Sequence, residues 1–472
     1  MNLVDLADGI GLRHDTIDFA QWLDDNDPLR EYRSEFHIPT LDSVQKLTKV
    51  SLSPCYERRT SEVIYLCGNS LGLQPKRLDV ALQTAVRQWA DLGVLAYHYG
   101  QFPASSSDLD VTADVAKYIV GADPDEVATT ANLSVNMHTL LAAFYRPQGN
   151  KTLIMVEKGL FPTDYYVLES HVSWHGLDPK EHLLQIEPRP GEWCISTQHI
   201  IETIQTYSDR LALIWLPGVQ YATGQLFEIE KITEAGHKYA GCYVGWDLAH
   251  SVGNTLLELH KWNVDIAVWC CYKYLNGSPG AVGGLFVHQR HHHAPSTHGP
   301  AVRGQGTQQL GPQWTGWFSH RAETRMEMTN RMELATGAAA YRISNPPFLL
   351  LAALRASLDV FKQCGGMRPV REKSVKLTGY LECLLKHGKF TLPSAYFTFV
   401  TPSAPEERGA QLTIAVSAHV QDIFEELQRA AVIVDLRHPN FIRVTPVPMY
   451  NTFVELYHFA KCLSCIVSKI FH

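Results

Sequence analysis

Long apolar runs are missing from this sequence. The most extended, Phe348 to Leu354, falls far short of the ~20 residues that span a bilayer, which argues against a membrane protein. An excess of basic residues is missing too. With 41 Lys and Arg against 48 Asp and Glu, the formal charge is -7, which argues against a general binder of nucleic acid or acidic membranes. The amino-terminal residues Met1 to Asp8 carry early acids and lack a basic stretch followed by an apolar one. No secretory signal is therefore read there, and a cytoplasmic chain is expected. Ten cysteines are scattered over 472 residues, without the framework of a small disulfide-built domain. Cys462-Leu463-Ser464-Cys465 has redox-motif spacing but lies in an apolar helical pattern, where buried packing is expected. His288 and the run His291-His292-His293 lack a carboxylate or cysteine at ligand spacing, so a solvated loop is expected rather than a metal site. Internal repeats and low-complexity tracts are absent.

What is present is core-forming material. Hydrophobic residues make up 45% of the chain, and the length suits two domains. Residues 1 to about 60 read as an arm with short helices at Thr16 to Leu23 and Asp42 to Lys49. From 61 to about 330, short apolar strands alternate with amphipathic helices. Thr152 to Val156 and Leu211 to Leu216 are strand-like, the latter stopping at Pro217-Gly218. Ile229 to Tyr239 has helical period and is closed by Gly241. Strand, helix, strand in that order predicts a right-handed crossover and a mainly parallel sheet, an α/β domain. From 331 to 472 the texture changes: helices at Phe348 to Cys364 and Arg371 to Lys386, strands at Gln411 to Val416 and Val432 to Val434, and a final helix from Thr452 to Ile470. This predicts a smaller α+β domain, completed by the amino-terminal arm.

Two charged residues interrupt the apolar strands of the larger domain. Asp247 ends Gly241 to Trp246, and Lys273 follows Ile266 to Cys271, 26 residues later. At the carboxyl ends of neighbouring strands both would face the crevice where α/β sheets bind ligands. A lysine amine that can condense with an aldehyde, opposite a carboxylate that keeps a ring nitrogen protonated, is what pyridoxal phosphate requires. Spacing alone does not separate this reading from a lysine that snorkels to solvent beside an ordinary strand-terminal aspartate. At other positions the residues taken alone favour a structural role over a functional one. Thr129 to Ser134 runs into the helical pattern of Val135 to Phe144, where a hydroxyl and free amides suit a phosphate, yet Asn132 or Ser134 could simply cap the helix. Phe161 could stack on a ring or pack in the core. Arg443, in the extended segment Phe441 to Thr445, could clamp a carboxylate in a bidentate fork or form a surface ion pair.

The wider pattern carries more weight. Trp246 to Asn254, with Cys271 to Gly277 after it, resembles the kynureninase family of fold-type I pyridoxal-phosphate enzymes. So do Leu66 to Gly72, Phe161-Pro162-Thr163-Asp164, Arg342 to Pro347 and Ile442 to Pro448. The blocks run in the family's order from about residue 66 to about 450. The resemblance implies Lys273 and Asp247 as catalytic residues. It implies cofactor contacts from Leu133, Ser134, Phe161, Pro162, Thr163, Asp164, His250, Tyr272, Trp317 and Asn345. Substrate contacts would come from Arg443, Asn345 and His98, the last fitting only after a one-residue shift. Trp317 is expected from the partner subunit, which implies a homodimer with shared sites. At Pro217 some relatives carry a small hydroxyl residue near the cofactor, and proline cannot donate that bond.

The implied reaction is hydrolytic cleavage of the Cβ–Cγ bond of L-kynurenine or 3-hydroxy-L-kynurenine, in tryptophan catabolism and pyridine-nucleotide (NAD) synthesis. The products would be anthranilate or 3-hydroxyanthranilate, with alanine. Rival readings are another enzyme of this fold type, a cysteine desulfurase or an aminotransferase, and a catalytically silent relative. Desulfurases resemble one another in a histidine where Phe161 stands and a persulfide cysteine on a mobile loop, neither of which is evident. A silent relative would not need Lys273, Asp247, Phe161 and Arg443 together.

Overall fold

A computed structural model of the chain describes residues 3–53, 61–292, 313–327 and 329–471. It divides into two compact units. One comprises Leu78–Gln220 and Phe227–Lys362; the other comprises Met1–Arg77, Tyr221–Leu226 and Gln363–His472. No helix among the described residues is long and apolar enough to cross a membrane.

The first unit is built on a seven-stranded sheet. From edge to edge the strands are Val127–Thr130, Gly283–Val287, Ile266–Cys270, Tyr243–Asp247, Leu211–Pro217, Leu153–Glu157 and Leu183–Ile186. The last five are mutually parallel, and Gly283–Val287 runs antiparallel to both of its neighbours. The parallel strands at the centre are buried along their whole length, as a sheet covered on both faces requires. Helix Leu133–Phe144 starts where the Asn132 side chain accepts the Val135 N–H at 3.1 Å. Helix Ile229–Ala235 runs on through a wider turn to Gly241, which ends it at a positive φ of 57°; the predicted stop is where it was expected.

The smaller texture change near residue 330 is not where the unit boundary falls. Helix Phe348–Gln363 places Ala353 and Ala356 against Leu78, so residues 331–362 join the sheet unit. The other unit holds a four-stranded antiparallel sheet, ordered Asp435–Arg437, Phe441–Val444, Leu412–Val416, Phe397–Phe399. A two-residue parallel pairing of Ile64–Tyr65 with Val432–Ile433 lies beside it. Helices Met367–Lys386 and Phe453–Phe471 share a core with the amino-terminal helix Ile17–Asp25 through Phe19, Tyr380 and Phe453. Asp24 caps the last helix by accepting the N–H groups of Phe453 at 2.7 Å and Val454 at 3.1 Å. Of the Cys462/Cys465 pair Cys462 is buried and Cys465 is exposed.

The histidine-rich segment corrects the expected solvated loop. His288 and His291 are buried, and His293 lies outside the described residues. His291 bonds Asp265 at 2.7 Å, and the same carboxylate takes His237 at 2.7 Å, Arg290 at 2.5 Å and the Val244 N–H at 2.7 Å. Burial opposes charge on Asp265, but the bonds from His237 and His291 outweigh it and hold the carboxyl well below its usual range. His288 and His260 stack at 5.2 Å, and His260 lies 3.0 Å from both oxygens of the fully buried Glu126. Glu126, His260 and His288 thus bring three donor groups within 4.8 Å of one another. In the structure Glu126 is already filled by the N–H groups of Gln289 and Asp123, and His288 Nδ1 by that of Arg290. Replacing Asp265 by alanine strands buried donors without an acceptor, a loss of about 3–5 kcal/mol. Calorimetry of Asp265→Ala should show a melting temperature several degrees lower; an unchanged one contradicts this account.

Candidate active site

The parallel strands all end at one edge of the sheet, and the site is assembled from the turns and helix starts just past those ends. Asp247 is the last residue of its strand and pairs in register with Val268 of the next, whose chain reaches Lys273 three residues past Cys270. Both side chains are only 8% exposed. Lys273 Nζ lies 5.9 Å from the Phe161 ring centre and 5.7 Å from that of Tyr272. Asp247 Oδ1 accepts the Ala249 N–H at 2.8 Å. Burial raises the Asp247 carboxyl, while the Lys273 ammonium, Asp164 and the Ala249 N–H pull it back down.

Phe161 and Asp164 arrive from the strand Leu153–Glu157. Phe161 stands at the start of helix Pro162–Trp174, 39% exposed, and its carbonyl accepts the Asp164 N–H at 3.0 Å. This is a presented ring, not a core aromatic. Asp164, one turn in, is 1% exposed, and among the described residues no N–H or hydroxyl donor reaches either carboxylate oxygen. Burial, then the neighbouring Asp247 charge, pushes its pKa well above the ordinary value. Burial and the neighbouring charge thus favour the protonated form of Asp164.

The other flank is the start of helix Leu133–Phe144. Val127–Thr130 ends at the same sheet edge, since Thr130 pairs with Gly283 and Gly283 with Cys270. A Cβ at Gly283 would lie 2.6 Å from the Trp269 carbonyl and 3.2 Å from Leu133 N. Glycine there lets the helix start close in beside the strand that leads to Lys273. Ala131 turns the chain with a φ of 34°, and Asn132, not Ser134, caps the helix. Ser134 is half-buried in the first turn of the helix, next to the Val135 amide that Asn132 takes.

The remaining predicted residues are more dispersed. His250 is buried, edge-on to Tyr274 at 6.3 Å. Trp317 is 44% exposed on a short turn, Trp317–Ser319. Asn345 is half-buried, and its Oδ1 is sealed from solvent with no hydrogen-bond donor among the described residues. His98 is exposed at the end of the turn Gly93–Tyr97. Arg443 belongs to the other unit, where it is 1% exposed. It bonds the Tyr221 carbonyl at 2.6 Å and Ser70 at 3.2 Å, and pairs with Asp435. It is no surface ion pair.

Most of the chain is similar in sequence to proteins of known family. Residues 370–463 match the family model of the kynureninase C-terminal domain, and residues 172–305 that of class-V aminotransferases. A kynureninase of Schistosoma japonicum is 51% identical over 418 residues, 87% of this chain and 96% of that one. The chain belongs to the kynureninase family. Human kynureninase is 41% identical over 454 residues, covering 95% and 93% of the two chains. Kynureninase of Myxococcus xanthus is 42% identical over 452 residues, covering 96% and 97%. Among solved structures, the cysteine desulfurase of Thermococcus onnurineus superposes with a TM-score of 0.68 at 16% identity, covering 92% and 100%. A cystine C-S lyase with cysteine persulfide gives 0.68 at 16%, covering 85% and 97%. These structural likenesses speak for the fold, that of fold-type I enzymes.

In this member of the kynureninase family, Pro217 ends the strand Leu211–Pro217 opposite Asp247. Its ring offers no donor at that edge. Sequence reading passed over Glu157 and Gln220. Glu157 closes its strand as Asp247 does and carried the same signal, a charge at the end of an apolar run. It is 4% exposed and accepts a bond from Gln220 Nε2 at 3.1 Å, and burial pushes its carboxyl up to about 8. Since the folded state holds this proton and the unfolded chain releases it near the ordinary value, stability falls as pH rises from about 4.5 to 8. Glu157→Gln should therefore lose less melting temperature between pH 5 and pH 8 than the parent chain. Equal slopes would show that Glu157 is ionised in the fold.

Proposed function

We propose that this protein hydrolyses L-kynurenine, its 3-hydroxy form or both, at the Cβ–Cγ bond, releasing L-alanine and anthranilate or 3-hydroxyanthranilate. The observation that carries the reading is the buried pair Lys273 and Asp247 on adjacent strand ends, in a chain of the kynureninase family.

The residues present fit pyridoxal 5'-phosphate as cofactor. Asp164 and Asn345 hold buried oxygens that no donor among the described residues reaches, and the glycine at 283 brings a helix start to the same sheet edge as the lysine. When bound, the cofactor supplies an electron-accepting ring in conjugation with substrate Cα. Lys273 would hold it covalently and, once displaced by substrate, move the proton at Cα. Asp247 would keep the ring nitrogen protonated, with Asp164 as the neutral acid behind it and His250 alongside. Phe161 would stack on one face, with Pro162 and Thr163 setting its helix. The Leu133 and Ser134 amides and hydroxyl, Tyr272 and Trp317 would bind the phosphate. Arg443 is assigned to the substrate carboxylate; Nε is the atom of its guanidinium left without a partner. Asn345 and His98 are assigned to the aromatic end.

The proposal extends to a homodimer, supported by the exposure of Trp317, an aromatic side chain presented outward at a turn. It also extends to the cytoplasm: no disulfide joins two of the described cysteines, which suits a reducing compartment. Turnover of L-kynurenine to fluorescent anthranilate tests the activity, and sulfide release from cysteine would favour the desulfurase reading instead. Loss of an oriented acid-base group costs about 10²- to 10⁴-fold, and Lys273→Ala should lose at least that. Borohydride reduction of the parent protein should add a phosphopyridoxyl mass to Lys273; labelling elsewhere, or none, rejects the assignment.

A further inference from the structure

Arg342 heads one of the blocks that resemble the family, yet it has no part in the proposed chemistry. It is 7% exposed, and its guanidinium pairs with Asp108, itself 2% exposed on helix Ser107–Val115. Its Nε donates to the Ala339 carbonyl at 3.3 Å. Its guanidinium carbon sits 5.4 Å from the centre of the Phe318 ring, which Arg325 covers at 3.8 Å. Phe318 is the residue after Trp317, and the two rings meet edge to face at 4.8 Å.

The backbone of Arg342 is engaged as well. Its carbonyl accepts the hydroxyl of Ser319, a fully buried residue, at 2.8 Å, and the same Oγ accepts the Gly316 N–H at 3.2 Å. A Cβ on Gly316 would stand 1.9 Å from the Ile343 carbonyl, so the turn bearing Trp317 lies directly on the Arg342-Ile343 backbone. Two residues beyond Ile343 comes Asn345.

We infer that Arg342, anchored by Asp108, is a positioning residue that sets Trp317 and Asn345 relative to each other, so that one buried ion pair governs contacts at both ends of the bound cofactor and substrate. This rests on the roles proposed for Trp317 and Asn345. Lysine cannot replace Arg342, because a point charge cannot hold a carboxylate and a carbonyl together in the fork geometry of a guanidinium.

Three variants, Arg342→Lys, Asp108→Asn and Phe318→Leu, keep the test open should one of them misfold. Each is read by titrating the apoenzyme with pyridoxal phosphate for Kd, and by KM for kynurenine apart from kcat. Loss of a supporting contact of this kind should raise Kd and KM by about tenfold or more. In Arg342→Lys, adding Trp317→Phe should then raise Kd by much less than it does in the parent, because the two act as one unit. Parent-like Kd and KM in a folded Arg342→Lys and Phe318→Leu, or effects that multiply in the double variant, overturn the inference. If Trp317→Phe and Asn345→Ala are themselves silent, the roles it rests on fall and the inference falls with them. If those two are impaired while Arg342→Lys is not, the inference alone is wrong.

Discussion

A carboxylate held in a dry place needs a positive partner, and the sheet edge of this protein is organised around that need. Asp247 is buried at a strand end with two further carboxyls near it, Asp164 and Glu157, and burial raises the pKa of all three. They cannot all be charged beside the one ammonium of Lys273. Burial disfavours the charged form of Glu157, which Gln220 bonds, and of Asp164, which neighbours Asp247. In the proposed function Asp247 would then be the anion that faces a cationic ring nitrogen, with the other two acids beside it.

The sheet supplies the geometry for this without special devices. Parallel strands deliver their carboxyl ends to one edge, so Asp247, Glu157 and the chain to Lys273 meet there because of strand direction alone. The antiparallel strand Gly283–Val287 brings the start of helix Leu133–Phe144 to that edge, and its missing Cβ at Gly283 sets how close the helix comes. The same strand order separates the chemistry from the stabilising charge cluster around Asp265, which lies at the start of its strand and fixes Val244, His237 and His291.

Much of this was legible in the sequence because the signal was local. Lys273 and Asp247 stand out as charges at the ends of runs that must be buried, and Pro217 and Gly241 mark stops whose cause lies in one residue. What escaped depends on partners far along the chain. His291 reads as solvated until Asp265 is seen beside it, and His288 until Glu126 is. Residues 331–362 look like the start of a new domain, because their alanine-rich helix face gives no hint that it fits against Leu78. Arg342 could be matched to a family block, yet its anchor Asp108 is 234 residues away. Glu157 is the exception: its position was as telling as that of Asp247 and went unread.

In the proposed function Asp247 keeps a ring nitrogen protonated opposite Lys273. Nitrogen-15 NMR of the protein loaded with ring-labelled pyridoxal phosphate reads that proton directly. The account predicts a protonated ring nitrogen at neutral pH in the parent protein and an unprotonated one in Asp247→Asn. An unprotonated nitrogen in the parent, or a shift that does not respond to the substitution, would contradict it.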